Sequence, residues 1–487
     1  MINRRQAIKT IGGLAGMASL SKFLPACGGD DDPVGITTYV YLMLENRTYD
    51  HILGARTLLE GKPGDGLTEG MSNPDSDGNP VTIYEPTVDK LCVLDPPHGW
   101  DPSHAQWNSG AMDGFVRAYQ QAHGSTTIHD TMAYQTRALQ PVTWVLADQY
   151  TTCDRWFASV MGPTLPNRAF WHTATSFGLK DNTAVLEKFA SVPVPTIYNR
   201  LVDKGVDWVY YFGSLAVASL LGQPGPYQLD LGPNDGTGRV RKFCVYADQP
   251  DAPNGQFFKD CAAGRLPPVV YIDPYFGSGG NDDHPPTHPM MAQALIRAVY
   301  TALATSPQWK NCMLVITYDE HGGFFDHVAP PQTTDDTLEK FGVDGFTQLG
   351  FRVPAMVIGP YVKQSYVSST QYDHTSALKH LQSAFDLEPL NVRMDAANDL
   401  TDCIDMERLA RGEWADPIEL PAIDLTNFPV MDPMCLTGDA FRSTDPISQA
   451  ADANPALFAG FDVRDEREQY HQTIREFLRR YQGTLSR

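Results

Sequence analysis

The chain has 487 residues, of which 42% are hydrophobic and 20% charged, and its formal net charge at pH 7 is −21. These proportions are ordinary for a globular protein, and the length allows a large hydrophobic core. The negative charge excludes nonspecific binding to nucleic acid, which requires basic surfaces that face phosphates.

The first 26 residues predict an export signal. The pair Arg4-Arg5 precedes an apolar stretch, Ile11–Leu20, which is shorter than the ~20 residues needed to cross a bilayer. The segment that begins at Arg4 resembles a twin-arginine signal, which exports proteins after they have folded. We therefore expect an exported protein, and no other hydrophobic run is long enough to span a membrane.

The residues that follow predict a lipid anchor. The run Leu24-Pro25-Ala26-Cys27 resembles a bacterial lipoprotein box, in which Cys27 would carry the lipid. Residues 27–36 would then form a tether, and the protein would be a periplasmic or membrane-anchored lipoprotein. The alternative is simple cleavage near Ala26, which would leave a periplasmic or secreted protein without an anchor.

Two strand-like runs end directly in polar residues. Thr37–Leu44 is apolar and partly β-branched or aromatic, and Glu45-Asn46 follows it. Met313–Tyr318 has the same character, and Asp319-Glu320 follows it. Parallel strands present their carboxyl ends at one edge of a sheet, where open α/β proteins hold their ligands. We therefore expect these four polar residues to lie close together.

The segment Gly162–Arg168 predicts the start of a helix, with Pro166 in its first turn. The Thr164 hydroxyl would lie beside free backbone N–H groups that favour an anion. Arg168 would be able to donate to a phosphate or a carboxylate. Taken alone, a threonine in this position is more often a helix cap than a nucleophile.

Histidines on loops supply candidates for acid and base chemistry. His98 and His284 each have proline neighbours, which favour rigid loops, and His327 closes the polar run Asp319–His327. The pair Gly322-Gly323 would let the backbone turn within that run. For each histidine, a hydrogen-bonded structural imidazole is the alternative interpretation.

The candidate ligands indicate the type of metal. Carboxylate, amide and hydroxyl oxygens suit Ca²⁺, Mg²⁺ or Mn²⁺, and Zn²⁺ with carboxylates is an alternative. The sequence contains no HExxH, P-loop or GxSxG motif, so zincin, nucleotide-hydrolase and α/β-hydrolase interpretations lose their support.

Together these segments resemble the phosphoesterase family, which includes bacterial phospholipases C, plant non-specific phospholipases C and bacterial acid phosphatases. The resemblance covers roughly residues 37–390, and several motifs carry it: Glu45–His51, Asp95–His98, Thr164–Arg168, Asp283–Pro285, Asp319–Val328 and Asp373–Ser376. It implies an α/β fold, namely an alkaline-phosphatase-like three-layer sandwich with a mostly parallel central sheet.

The resemblance also implies roles for individual residues. One divalent metal ion would be bound by oxygen atoms of Glu45, Asn46, Thr164, Asp319 and Glu320. Thr164 would be the nucleophile that attacks phosphorus, and water would then hydrolyse the phosphothreonine. The phosphate pocket would be lined by His98, His284 and His327, one of which would protonate the leaving oxygen, with Arg168 as a further contact.

The implied organisation is a catalytic phosphoesterase domain at residues 37–425 and a C-terminal extension at 426–487 that ends in a helix. We expect an exported phosphoesterase, most similar to phospholipase C and acting on phospholipids. A broad-specificity acid phosphatase acting on small phosphate monoesters is the alternative within the class. An inactive, surface-tethered binding lipoprotein is the alternative from another class.

Overall fold

The computed structural model describes the greater part of the chain, namely residues 35–86, 95–124, 130–182, 194–213, 217, 227, 230, 238–242, 255–276, 280–285 and 287–423. The predicted export signal, Cys27 and the C-terminal extension at 426–487 lie outside the described residues. Among the described helices, none combines the length and the apolar character needed to cross a membrane.

In the described part of the chain, the centre of the molecule is an eight-stranded sheet with the order β11-β4-β10-β9-β1-β8-β6-β7. Its strands are β1 (Thr38–Leu44), β4 (Thr151–Cys153), β6 (Trp208–Phe212), β7 (Val240–Lys242), β8 (Val269–Asp273), β9 (Cys312–Tyr318), β10 (Ala355–Ile358) and β11 (Tyr366–Ser368). Among these described strands, only β10 runs antiparallel to its neighbours. The predicted α/β fold with a mostly parallel sheet is therefore confirmed.

Two small sheets accompany the central one. They pair β2 (Ser72–Pro74) with β3 (Pro80–Thr82) and β5 (Trp156–Phe157) with β12 (Tyr372–Asp373). The α-helices of the described residues are α1 (Ala55–Glu60), α2 (Trp100–Trp107), α3 (Phe115–His123), α4 (Pro141–Gln149), α5 (Thr164–Thr173), α6 (Ile197–Asp203), α7 (Gln256–Ala262), α8 (Pro289–Ala304), α9 (Thr337–Phe341), α10 (His374–Phe385), α11 (Val392–Ala396) and α12 (Met406–Arg411). A π-helical turn, Asp50–Gly54, leads into α1.

Helices cover both faces of the sheet. All seven residues of β1 are buried, as expected for a central strand with a layer on each side. On one face, Tyr41 packs edge-on against Trp171 of α5, and Tyr39 packs against His380 of α10. A second group of helices includes α4 and α8, which contact each other, and α4 also contacts β4 and β10. The result is a three-layer arrangement.

The register of the central strands aligns their carboxyl ends. Leu44 of β1 lies opposite Tyr318 of β9, so that the next residues, Glu45 and Asp319, leave the sheet side by side. On the other flank of β1, Leu42 pairs with Ile272, which places Asp273 at the same edge. Acidic side chains from three adjacent strands therefore meet at one point.

Candidate active site

The two pairs of polar residues after β1 and β9 lie in contact, as predicted. The backbone N–H of Asn46 donates to Asp319 Oδ1 at 3.1 Å, and the N–H of Arg47 donates to the carbonyl of Glu320 at 3.0 Å. Asn46 adopts a left-handed conformation with a φ of 59°. Gly322, with a φ of 62°, packs on its carbonyl so closely that a Cβ would lie 2.2 Å from that oxygen.

Only one carboxylate oxygen of Asp319 and one of Glu320 accept hydrogen bonds from the described residues. Asp319 Oδ1 accepts from the backbone N–H groups of Asn46 and Glu320, and Glu320 Oε2 accepts from the N–H of Gly322. These bonds hold the two carboxylates in place. The second oxygen of each carboxylate accepts no hydrogen bond from a described residue.

Four buried oxygen atoms of the predicted ligands accept no hydrogen bond from any described residue. They are Asn46 Oδ1, Thr164 Oγ1, Asp319 Oδ2 and Glu320 Oε1. Buried acceptors are nearly always satisfied, because a missing partner costs about 1–3 kcal/mol for each group. Oxygen donors alone form the preferred ligand set of hard divalent cations. The residues present therefore fit one divalent metal ion.

The charges at the site also favour a bound cation. Burial, and then the negative charge of Asp319, raise the pKa of Glu320 well above its ordinary value. Burial likewise raises the pKa of Asp319. Two adjacent buried carboxylates remain ionised together only when positive charge is placed beside them.

Arg168 supplies one such positive charge. Its Nε lies 3.1 Å from Glu45 Oε1 and 3.5 Å from Asp319 Oδ2, and its Nη1 lies 3.0 Å from Asp273 Oδ1. Its Nη2 donates to the carbonyls of Met43 and Leu44. The prediction allowed Arg168 to contact a phosphate or a carboxylate, and in the described structure it contacts carboxylates and backbone carbonyls of the protein itself.

Asn167 shapes the turn that presents Thr164. Its amide nitrogen donates to the carbonyls of Val160, Gly162 and Pro163 at 3.0–3.2 Å. Thr164 then begins α5 after an extended Pro163, and its side chain is buried. Because Arg168 lies one turn further along the same helix face, its contact with Glu45 directs this end of α5 toward the ends of β1 and β9.

Two of the predicted histidines lie beside the candidate metal ligands. His98 Nδ1 donates to the carbonyl of Pro96, so its Nε2 points toward Asn46 Nδ2 at 3.3 Å and Glu320 Oε1 at 3.6 Å. The ring of His284 lies 5.9 Å from that of His98. Burial lowers the pKa of His98 and so favours its neutral form. Asp95 joins these two histidines in a cluster with potential ligand atoms within 4.8 Å of one another.

His327 lies in a separate cluster. Its Nδ1 is 2.6 Å from Asp50 Oδ2, and its Nε2 is 3.1 Å from Asp65 Oδ1. Arg352 joins Asp50 to Asp326 beneath the imidazole. No hydrogen bond or ion pair of the described structure connects His327 with the candidate metal ligands. Its predicted position in the phosphate pocket stays a prediction.

Asp273 is a residue of this site that the sequence interpretation missed. It ends β8, pairs with Arg168, and also accepts hydrogen bonds from the Tyr210 hydroxyl and the backbone N–H of Val217. The run Val269–Asp273 has the same pattern as the other two strands, an apolar stretch that ends in an acid. That pattern was the available signal.

Comparison with known proteins identifies the family. The model of the phosphoesterase family matches residues 36–388. Non-specific phospholipase C6 of Arabidopsis thaliana is 32% identical over 442 residues, which cover 85% of this chain and 78% of the relative. Phospholipase C B of Mycobacterium tuberculosis strain ATCC 25618 / H37Rv is 30% identical over 390 residues, 71% of this chain and 72% of the relative. The chain belongs to the phosphoesterase family and is a hydrolase that acts on phosphoester bonds.

A solved structure shows a more distant likeness. A protein in the alkaline phosphatase superfamily from Vibrio parahaemolyticus aligns with a TM-score of 0.34 and 12% identity, covering 54% of this chain and 64% of that chain. This likeness is too low to support a conclusion, so the fold assignment rests on the sheet itself.

Proposed function

We propose that the protein is an exported, metal-dependent phospholipase of the C type that uses Thr164 as its nucleophile. The observation that carries this proposal is the set of four buried oxygen atoms without hydrogen-bond partners, contributed by Asn46, Thr164, Asp319 and Glu320. The relatives named phospholipase C in a plant and in a bacterium support the choice of substrate.

In the proposed reaction, Thr164 Oγ1 forms a bond to phosphorus as the bond between phosphorus and the leaving alcohol breaks. A divalent cation held by Glu45, Asn46, Thr164, Asp319 and Glu320 would lower the pKa of the threonine hydroxyl and offset the charge on the phosphate oxygens. The protein's role is mainly placement, since phosphoryl transfer depends on in-line geometry and on positive charge around phosphorus.

The two histidines serve the leaving group in this proposal. His98 and His284 lie on one side of the proposed metal ligands. The negative charge of a bound phosphate would favour the protonated form of a neighbouring imidazole, and one of the two would then give its Nε2 proton to the departing oxygen. Water then attacks the phosphothreonine, which releases the phosphorylated headgroup and restores the Thr164 hydroxyl. Arg168 stays beneath the ligands and keeps Glu45 and Asp319 in place.

The location of the protein is also part of the proposal. The twin-arginine-type segment at residues 1–26 would direct export, and a lipid on Cys27 would hold the domain at residues 37–425 beside a membrane. Cell fractionation of the full chain and of a Cys27→Ser variant tests this. A lipid-anchored protein moves from the membrane fraction to the soluble fraction when the cysteine is replaced.

A substrate panel tests the activity. The purified protein is incubated with phosphatidylcholine and with p-nitrophenyl phosphate, and its metal content is measured by elemental analysis. Release of diacylglycerol that stops after chelation and returns with one divalent metal supports the proposal. Release of phosphate from the monoester alone would assign the acid phosphatase instead, and full activity in protein free of divalent metal would refute the metal site.

A further inference from the structure

We propose that Trp100, His104 and Lys180 form a subsite for a second anionic group on the substrate, such as a carboxylate or phosphate of a phospholipid headgroup. These three side chains are called the cationic rim below. The inference rests on the proposed function, because it assigns the substrate preference of the same active site.

The cationic rim is built around the indole of Trp100. Lys180 Nζ lies 4.2 Å from the centre of that ring, and the imidazole of His104 stacks on it with the ring centres 4.4 Å apart. His104 Nδ1 donates to the carbonyl of Trp100 at 2.7 Å, which fixes the imidazole on the helix. All three side chains are half-buried and therefore reach solvent.

Two connections place the cationic rim beside the catalytic groups. Trp100 follows His98 by two residues at the start of α2, so the indole and the catalytic imidazole share one short segment. Trp100 also packs against the loop before Thr164, since a Cβ on Gly162 would lie 3.5 Å from its Cε3 atom.

Lys180 is tied to the same loop from another direction. Its carbonyl oxygen lies within 3.7 Å of the position that a Cβ of Gly162 would take. Two residues later, the Asn182 side chain accepts the backbone N–H of Leu165, next to the proposed nucleophile. The segments that carry the cationic rim therefore adjoin the segments that carry the nucleophile and the proposed general acid.

Lys180 has no acidic partner in the described part of the chain, although its ammonium contacts the ring of Trp100. Its ammonium forms no ion pair and no hydrogen bond with the described residues, in contrast to Lys204, which lies 2.9 Å from Asp386 Oδ2. Burial, and then the charge of Lys180, lower the pKa of His104 and favour its neutral form, so Lys180 supplies the positive charge of the cationic rim. In a protein with a net charge of −21, an ammonium without an acidic partner among the described residues attracts an anionic substituent.

The same arrangement disfavours a cationic headgroup. A quaternary ammonium binds best over an open aromatic face, and here the ammonium of Lys180 already occupies a face of Trp100. A choline group would meet a like charge at this position. The geometry therefore selects for an added anionic group rather than for an added cation.

Phosphatidylserine and phosphatidylethanolamine with identical acyl chains provide the test, because their headgroups differ by one carboxylate. Both are presented in micelles of an uncharged detergent, and phosphoserine and phosphoethanolamine form a parallel soluble pair. We expect kcat/KM to favour the carboxylate-bearing substrate by about tenfold at low ionic strength, with the preference weaker in high salt.

Lys180→Met should remove this preference mainly through KM, and Lys180→Arg should restore part of it, because the contact acts in substrate binding. Lys204→Met removes the same charge at a paired surface site and should keep the preference. An unchanged ratio in Lys180→Met with both substrate pairs would overturn the subsite. Failure to cleave either lipid, with the monoester pair still discriminated through Lys180, would refute the phospholipase activity and keep the subsite.

Discussion

The guanidinium of Arg168 contacts Asp273 through Nη1 at 3.0 Å and Glu45 through Nε at 3.1 Å. One buried side chain thus joins the ends of β8 and β1 and leaves no carboxylate of that pair uncompensated. Because β9 lies on the other side of β1 and its Asp319 approaches the same Nε, the arginine aligns three strand ends beneath the proposed metal.

Replacing Arg168 should destabilise the protein most strongly in the absence of metal. Arg168→Gln leaves the carboxylates of Glu45 and Asp273 buried without their partner, which costs about 3–5 kcal/mol in comparable buried pairs. Urea unfolding in the presence of a chelator should show a free energy of unfolding lower by that amount in the variant. An added divalent metal should reduce this difference between the two proteins.

Arg137→Gln is the control for that experiment. Arg137 pairs with Glu60 and Asp148 near the surface, where its side chain is 36% exposed, so its loss should cost less than about 1 kcal/mol. Equal losses in the two variants would show that Arg168 does not serve as the buried counter-charge.

Thr164→Ala should abolish turnover while the protein still binds metal. The variant lacks the proposed nucleophile, and a drop of about 10³-fold or more in kcat is expected. Four of the proposed oxygen ligands remain, so calorimetric titration should still show metal binding. Thr164→Ser keeps a hydroxyl and should retain measurable activity. A near-normal kcat in Thr164→Ala would remove the threonine from the mechanism.

Glu320→Gln tests the metal site without a change of shape. The substitution replaces a buried anionic ligand whose Oε1 has no hydrogen-bond partner among the described residues by a neutral amide. Metal affinity should fall by at least about 100-fold, and the rise in melting temperature on addition of metal should disappear. Glu339→Gln, at an exposed position in α9, should change neither quantity. A metal response retained in full by Glu320→Gln would contradict the assignment.

The ends of the buried strands could be predicted from the sequence, and the reason is physical. Buried parallel strands such as β1 and β9 appear as continuous apolar runs, and the polar residues that follow them stand out. The partners of Arg168 were not predictable in this way, because they depend on the register of three strands that are far apart in the chain. The position of His327 depends on a local turn, since Gly322 and Gly323 both adopt a positive φ and redirect the backbone after Glu320.

Gly322→Ala should be far more damaging than a substitution at another glycine with the same backbone conformation. Gly322 and Gly342 have φ values of 62° and 70°, so alanine is strained at both positions by about 1–2 kcal/mol. A Cβ at Gly322 would also collide with the Asn46 carbonyl at 2.2 Å, whereas the space around Gly342 is open.

Gly322→Ala should therefore have a much lower melting temperature and a much lower metal affinity than Gly342→Ala. Similar values in the two variants would mean that the loop after β9 moves freely away from Asn46.

The His327 cluster should make part of the stability depend on pH. Burial opposes the charged imidazole, but the hydrogen bond and charge of Asp50, together with Asp326, raise the pKa of His327 to about 9 despite the nearby Arg352. Because this pKa lies above the unfolded value near 6.5, the contribution is complete below pH ~6.5 and is lost as the pH rises through about 9.

The expected size of that contribution is about 2–3 kcal/mol, since each unit of pKa shift corresponds to about 1.4 kcal/mol and the imidazole is partly exposed. His327→Gln should therefore lower the free energy of unfolding by more at pH 6 than at pH 10, as measured by urea denaturation. A difference between the two proteins that is the same at both pH values would show that the imidazole is not held charged by Asp50, because only a titrating group gives a pH-dependent difference.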